Sequence, residues 1–143
     1  MNVYTYDEIT VGQIEEFSVF LDDEKMDKFL SITGDANPLH TDDKYAEEEC
    51  GYNGRVTYGM LTASFISTLA GMYLPGKYSL LHGVEVKFLK PVFPKDTLII
   101  RGEVVEKEDK FRLLKIRVSI FNGQEEKVCR ASINVGVLEK KDS

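Results

Sequence analysis

The chain has no tryptophan, two cysteines, two histidines and four prolines among its 143 residues. Each scarcity narrows what it can be. Cys50 and Cys129 stand far apart, with no second cysteine or histidine at ligand spacing, so they form no metal motif and no disulfide framework. They read as packing residues of a protein kept in a reducing compartment. Membrane-length apolar runs are also missing. The uncharged stretch Met60 to Leu74 is shorter than the roughly 20 apolar residues of a membrane span, and it carries Thr and Ser. Positive charge is the minority sign: 18 Lys and Arg against 24 Asp and Glu give a net charge of −6. That argues against a general nucleic-acid binder, which needs a basic footprint, but leaves room for a small anion held by a local patch. The start, Met-Asn-Val-Tyr-Thr-Tyr-Asp-Glu, has neither the basic opening nor the apolar run of a signal peptide. The expected location is the cytoplasm, and the expected organisation is one domain over residues 1–143.

What is present is enough for an ordinary core. A chain of this length buries roughly 68–70% of its unfolded surface without metal or disulfide staples. Gln13 to Leu21 alternates, with Phe17, Val19 and Leu21 on one side, and predicts a strand. Asp22 is placed to cap a helix running to Thr33, with Asp23 and Glu24 in the first turn where the helix dipole favours negative charge. Asp43 to Cys50 predicts a second short helix. Met60 to Leu74 predicts a long one, apolar on nearly every face and therefore surrounded by protein, ended by Pro75-Gly76. Everything after it alternates as strands: Val84 to Phe88, Leu98 to Glu106, Leu114 to Ile120 and Cys129 to Val137, with Asn122-Gly123 as a turn signal between the last two. A long buried helix followed by antiparallel strands is an α+β arrangement. Its economical form is a curved sheet wrapped around the helix, the hot-dog architecture. The sheet's outer face and edges would then be left for a second subunit, so a homodimer or a multiple of one is expected.

One stretch does more than fold. Gly34 is a natural left-handed helix terminator, and Asn37-Pro38 forces a turn because the residue before proline avoids helical angles. Asp35 and His40, a carboxylate and an imidazole, therefore sit on a short stiff bend, where they can hold a water between a base and an acid. Gly59 stands just before the apolar helix, where free N–H groups and a positive dipole suit a polarised carbonyl. Ser67 lies eight residues beyond it, roughly on the same helix face.

Gly34-Asp35-Ala36-Asn37-Pro38-Leu39-His40, followed about twenty residues later by Gly59-Met60-Leu61, resembles the hydratase motif of the MaoC-like (R)-specific enoyl-CoA hydratases. Leu74-Pro75-Gly76-Lys77 and the run from Val86 to Val92 match the same pattern, so the likeness covers nearly the whole chain. The resemblance implies reversible syn addition of water to a trans-2-enoyl-CoA, giving an (R)-3-hydroxyacyl-CoA. It makes Asp35 and His40 the pair that holds and activates water, with their division of labour left open. Asn37 would orient them, the Gly59 N–H would bind the thioester oxygen, and Ser67 would be a polar group near the pair. No metal or cofactor is required, and the acyl-CoA thioester is the substrate; neither nucleic acid nor membrane is an expected partner. One position departs from the family: its usual histidine before the glycine is here Tyr58, which bears on the thioester end of the site rather than on the pair.

Two other readings compete. A hot-dog thioesterase would share the fold and the CoA esters, but such enzymes resemble one another in carrying a carboxylate on the central helix, and Met60 to Leu74 has none. A non-catalytic acyl-CoA-binding subunit would have lost Asp35 or His40, and both are present. Taken singly, Asp35 is a common turn cap and His40 a common structural histidine. Gly59 alone is a tolerated helix cap, and Ser67 alone a hydroxyl bonded back to its helix. His82 reads as structural. Arg55, Lys77, Lys87 and Lys90 are scattered cations that read as solvated surface.

Overall fold

A computed structural model describes residues 1–141. A short helical turn, Tyr6–Glu8, precedes strand β1 (Ile14–Phe20). Helix α1 (Asp23–Thr33) follows, then two short helices, α2 (Pro38–Thr41) and α3 (Asp43–Glu48). The central helix α4 (Gly59–Thr68) continues into one wide π turn over Leu69–Tyr73. Four strands complete the chain: β2 (Ser79–Phe88), β3 (Thr97–Glu108), β4 (Leu113–Phe121) and β5 (Lys127–Val137). All five strands form one antiparallel sheet in the order β1-β3-β4-β5-β2. It curves around α4, which is the hot-dog arrangement.

Alternation places the core. Leu98, Ile100 and Val104 of β3, Leu114, Ile116, Val118 and Ile120 of β4, and Ile133 and Val135 of β5 are all fully buried on the inner face. Leu61, Ile66, Leu69 and Ala70 of the central helical run are buried against them. Gly102 of β3 lets the helix come close, since a Cβ there would lie 2.5 Å from a terminal methyl of Leu69.

The structure departs from the sequence reading in three places. The bend after Gly34 contains a true helical turn, α2. Strand β2 begins at Ser79 rather than near Val84, because a register shift between Leu81 and Gly83 breaks the alternation that would have revealed its first half. The central helix is not enclosed on every face: Met60 is 65% exposed, and Ser64 and Ser67 are exposed on the same stripe. Beside that stripe the edge strand β2 shows Leu81, Val84 and Phe88, each 39–50% exposed.

Candidate active site

The bend is built by short polar side chains. Gly34 closes α1 in the left-handed conformation, with φ 70°, and its N–H donates to the Leu30 carbonyl. Asp35 Oδ1 accepts from the Asn37 N–H at 3.1 Å. Asn37 Oδ1 accepts in turn from the Leu39 N–H at 3.0 Å, capping α2, whose first residue is Pro38. Asn37 thus fixes the helical turn that carries His40.

His40 is held twice. Its Nδ1 lies 2.7 Å from the Val56 carbonyl, which can only accept, so Nδ1 carries the proton. In the neutral ring Nε2 is then the free base. Its ring packs on Tyr58, with centroids 4.4 Å apart. The other side of this small aromatic group is Phe29, 4.8 Å from Tyr58. The Tyr58 hydroxyl donates to the backbone carbonyl of Asp35 at 2.7 Å. Burial, and then the Asp35 charge, raise the Tyr58 pKa, so the phenol keeps its proton and stays a donor. Tyr58 therefore bears on the pair itself, contrary to the reading from sequence: it is the link between Asp35 and His40. No direct hydrogen bond joins those two side chains among the described residues.

A cavity of about 290 Å³ opens beside this link, lined among others by His40, Thr57, Gly59, Thr62, Phe88 and Val92. The Gly59 N–H at its wall has no acceptor among the described residues, nor has that of Met60, while the N–H groups of Leu61 and Thr62 both bond the Tyr58 carbonyl. A side chain at Gly59 would press on the Phe88 ring, 3.2 Å from the Cβ position. Glycine is what leaves the N–H approachable.

The cavity gathers His40 and Gly59; it does not gather the rest. Asp35, Asn37 and Ser67 are exposed and lie outside its lining. Lys90 stands on the lining and pairs with Glu126, whereas Arg55 is engaged by Asp23 at 2.7 Å. His82 lies away from the cavity, its ring close over Gly136. Sequence reading missed Thr57 and Thr62, buried residues of the cavity lining; the available signal was a threonine one turn into an uncharged helix. Among the described residues no three His, Cys, Asp or Glu side chains come together as a metal site would need. No helix among them is long and apolar enough to cross a membrane.

Comparison with known proteins bears on the family and the fold. The model of the family described as "MaoC like domain" matches residues 5–123. The (R)-specific enoyl-CoA hydratase of Aeromonas caviae is 35% identical over 103 residues, 71% of this chain and 76% of its own. The 3-hydroxybutyryl-CoA dehydratase of Methylorubrum extorquens is 28% identical over 106 residues, covering 74% and 67%. The unliganded R-hydratase PhaJ1 from Pseudomonas aeruginosa superposes with a TM-score of 0.88 at 29% identity, over 95% of this chain and 86% of that one.

Proposed function

The chain belongs to the MaoC-like family, and we propose that it is an (R)-specific enoyl-CoA hydratase, a hydro-lyase that runs equally as a 3-hydroxyacyl-CoA dehydratase. The observation that carries this reading is the shared cavity of a fixed imidazole, His40, and an unpartnered N–H at the head of an apolar helix, Gly59. The relatives' names support the reaction class.

In the proposed step the thioester oxygen of a trans-2-enoyl-CoA takes the Gly59 N–H. Water, held between Asp35 and His40, gives its oxygen to C3. The C2–C3 π pair moves toward the carbonyl as an enolate and returns to take a proton at C2. Asp35 and His40 divide the base and acid roles, and His40 acts through Nε2. No step passes through a metal or cofactor. Asn37 holds the bend, and Ser67 lies on the open side of the helix where the acyl group would run.

The proposed working unit is a homodimer. Asp35 and Ser67 are exposed in the single chain, close in sequence to the exposed apolar residues Ile32 and Met60. A second copy laid on the free edge of β2 would roof them. A cytoplasmic location belongs to the same proposal.

Crotonyl-CoA tests it. The enoyl absorbance should fall without release of free thiol, and chiral analysis should find the (R)-3-hydroxy product. His40→Ala or Asp35→Asn should lower the rate by about 10²–10⁴-fold with the dimer intact. Thiol release instead would establish a thioesterase; unchanged turnover in either variant would end the mechanism.

A further inference from the structure

Residues 55–59 form one strap that touches His40 and Asp35 and ends at Gly59. The Val56 carbonyl accepts from His40 Nδ1 at 2.7 Å, and the Val56 N–H donates to the Leu39 carbonyl at 3.0 Å. Val56 thus grips the α2 turn with both of its backbone polar groups. The next N–H, of Thr57, donates to the Val92 carbonyl at 2.7 Å. It shares a peptide unit with the Val56 carbonyl, and hydrogen bonds in series polarise one another. Tyr58 then lays its ring on His40 and its hydroxyl on the Asp35 carbonyl. The nitrogen of His40 that is left as a base is therefore decided by where one carbonyl of the strap stands.

The strap leaves a permissive loop. Gly51 and Gly54 have positive φ, of 76° and 144°, in a region that glycine enters at no steric cost. Asp43, the first residue of α3, ends that freedom: its Oδ1 accepts from the Arg55 N–H at 2.8 Å. A carboxylate is a stronger acceptor for an N–H than a neutral carbonyl. The same oxygen lies 3.2 Å from where a Cβ on Gly54 would stand, so the loop runs close against it. The Arg55 side chain adds a second tie, to Asp23 at 2.7 Å, but that carboxylate is 54% exposed and an exposed pair holds little. Asp42, next in the chain, does different work. Its Oδ1 caps α3 by accepting from the Tyr45 N–H at 3.2 Å, and it bonds to no residue of the strap.

We infer that Asp43 is a positioning residue for His40. Through the Arg55 N–H it fixes the strap, and through the Val56 carbonyl it keeps the imidazole proton on Nδ1 and the base on Nε2. It touches neither the substrate nor the ring. Its effect on turnover rests on the hydratase reading of the cavity; its effect on the ring does not.

Three variants separate positioning from folding. Asp43→Ala removes the acceptor, Asp43→Asn keeps an oxygen to receive the Arg55 N–H, and Asp42→Ala weakens the same helix without releasing the strap. Nitrogen magnetic resonance of isotope-labelled protein reads the tautomer directly, at pH of about 8.5 where an ordinary imidazole is neutral. The ring-nitrogen signals of His40, identified by their loss in His40→Ala, should be well separated in the wild type, with the proton on Nδ1. In Asp43→Ala they should move toward each other as the second tautomer fills; in Asp43→Asn and Asp42→Ala they should stay apart. With crotonyl-CoA, Asp43→Ala should lower kcat by about tenfold or more with little change in KM, and Asp43→Asn should recover most of it. Unmoved signals in Asp43→Ala overturn the inference, and so does an equal movement in Asp42→Ala, which would reduce Asp43 to a part of its helix. A wild type that hydrates no enoyl-CoA ends the hydratase reading alone, because the ring signals are read without substrate and still decide the role of Asp43.

Discussion

The two sides of the uncharged central helix have opposite fates. On one side Leu61, Ile66 and Leu69 are pressed into the sheet and almost fully buried. On the other, Met60, Ser64 and Ser67 form an open stripe beside Leu81 and Val84 of the edge strand. A helix without charge thus has one face satisfied within its own chain and one left open. The candidate site straddles them. His40, Thr57, Gly59 and Thr62 are gathered by a single chain, while Asp35 and Ser67 are exposed and lie outside the cavity lining. In the proposed reading the closed side supplies the oxyanion end, and a second copy would close the open one.

The largest effects belong to the closed side. Leu69→Ala should destabilise the fold by about 2–5 kcal/mol in denaturant titration, because the sheet cannot collapse onto the vacated space. Gly102→Ala should cost about 1–3 kcal/mol by crowding the same leucine, whose methyl lies 2.5 Å from the position of the added carbon. The double variant should lose less than the sum, since the new methyl occupies part of the hole. Strict additivity would mean that helix and sheet do not meet there. The open side predicts the reverse pattern. Val84 is 44% exposed in the single chain, so Val84→Lys should leave circular dichroism unchanged. Sedimentation should instead show the dimer giving way to monomer, with hydration lost alongside. A dimeric, active Val84→Lys would move the interface elsewhere.

The same contrast explains what the sequence could reveal. Strands β3 to β5 were readable because each inner position, from Leu98 through Val135, is apolar and each outer neighbour is mostly polar. The first half of β2 was not, because the shift at Leu81–Gly83 interrupts the period. Nothing distinguishes Met60 from Leu61 by type, so composition could not say which apolar face meets its own sheet. The Asp35–His40 bend was legible because Gly34 and Asn37-Pro38 act on their immediate neighbours. The role of Tyr58 was not. It depends on a bond across 23 positions, which only coordinates can display.

Tyr58 gives the smallest and most diagnostic effect, because its ring belongs to the closed side and its hydroxyl reaches the bend that carries Asp35. Tyr58→Phe keeps the packing on His40 and Phe29 and removes only the 2.7 Å bond to the Asp35 carbonyl. The expected loss is about 0.5–1.5 kcal/mol of stability, with hydration slowed by up to about tenfold. Alkaline pH separates the hydroxyl from the ring. Burial first, then the Asp35 charge, raise the Tyr58 pKa above its ordinary 10.0 in the fold. A raised pKa contributes stability that is complete below the unfolded value and is lost as pH climbs through the folded one. Tyr6, pushed up to about 12 by burial and then by Asp109, behaves likewise and remains in the variant. Melting curves of wild type and Tyr58→Phe should therefore both decline above pH of about 10, with the wild type falling faster and the gap between them closing. Parallel curves would mean that the phenol ionises as readily in the fold as outside it. Tyr58 could not then be the dry link that joins the two sides of the site.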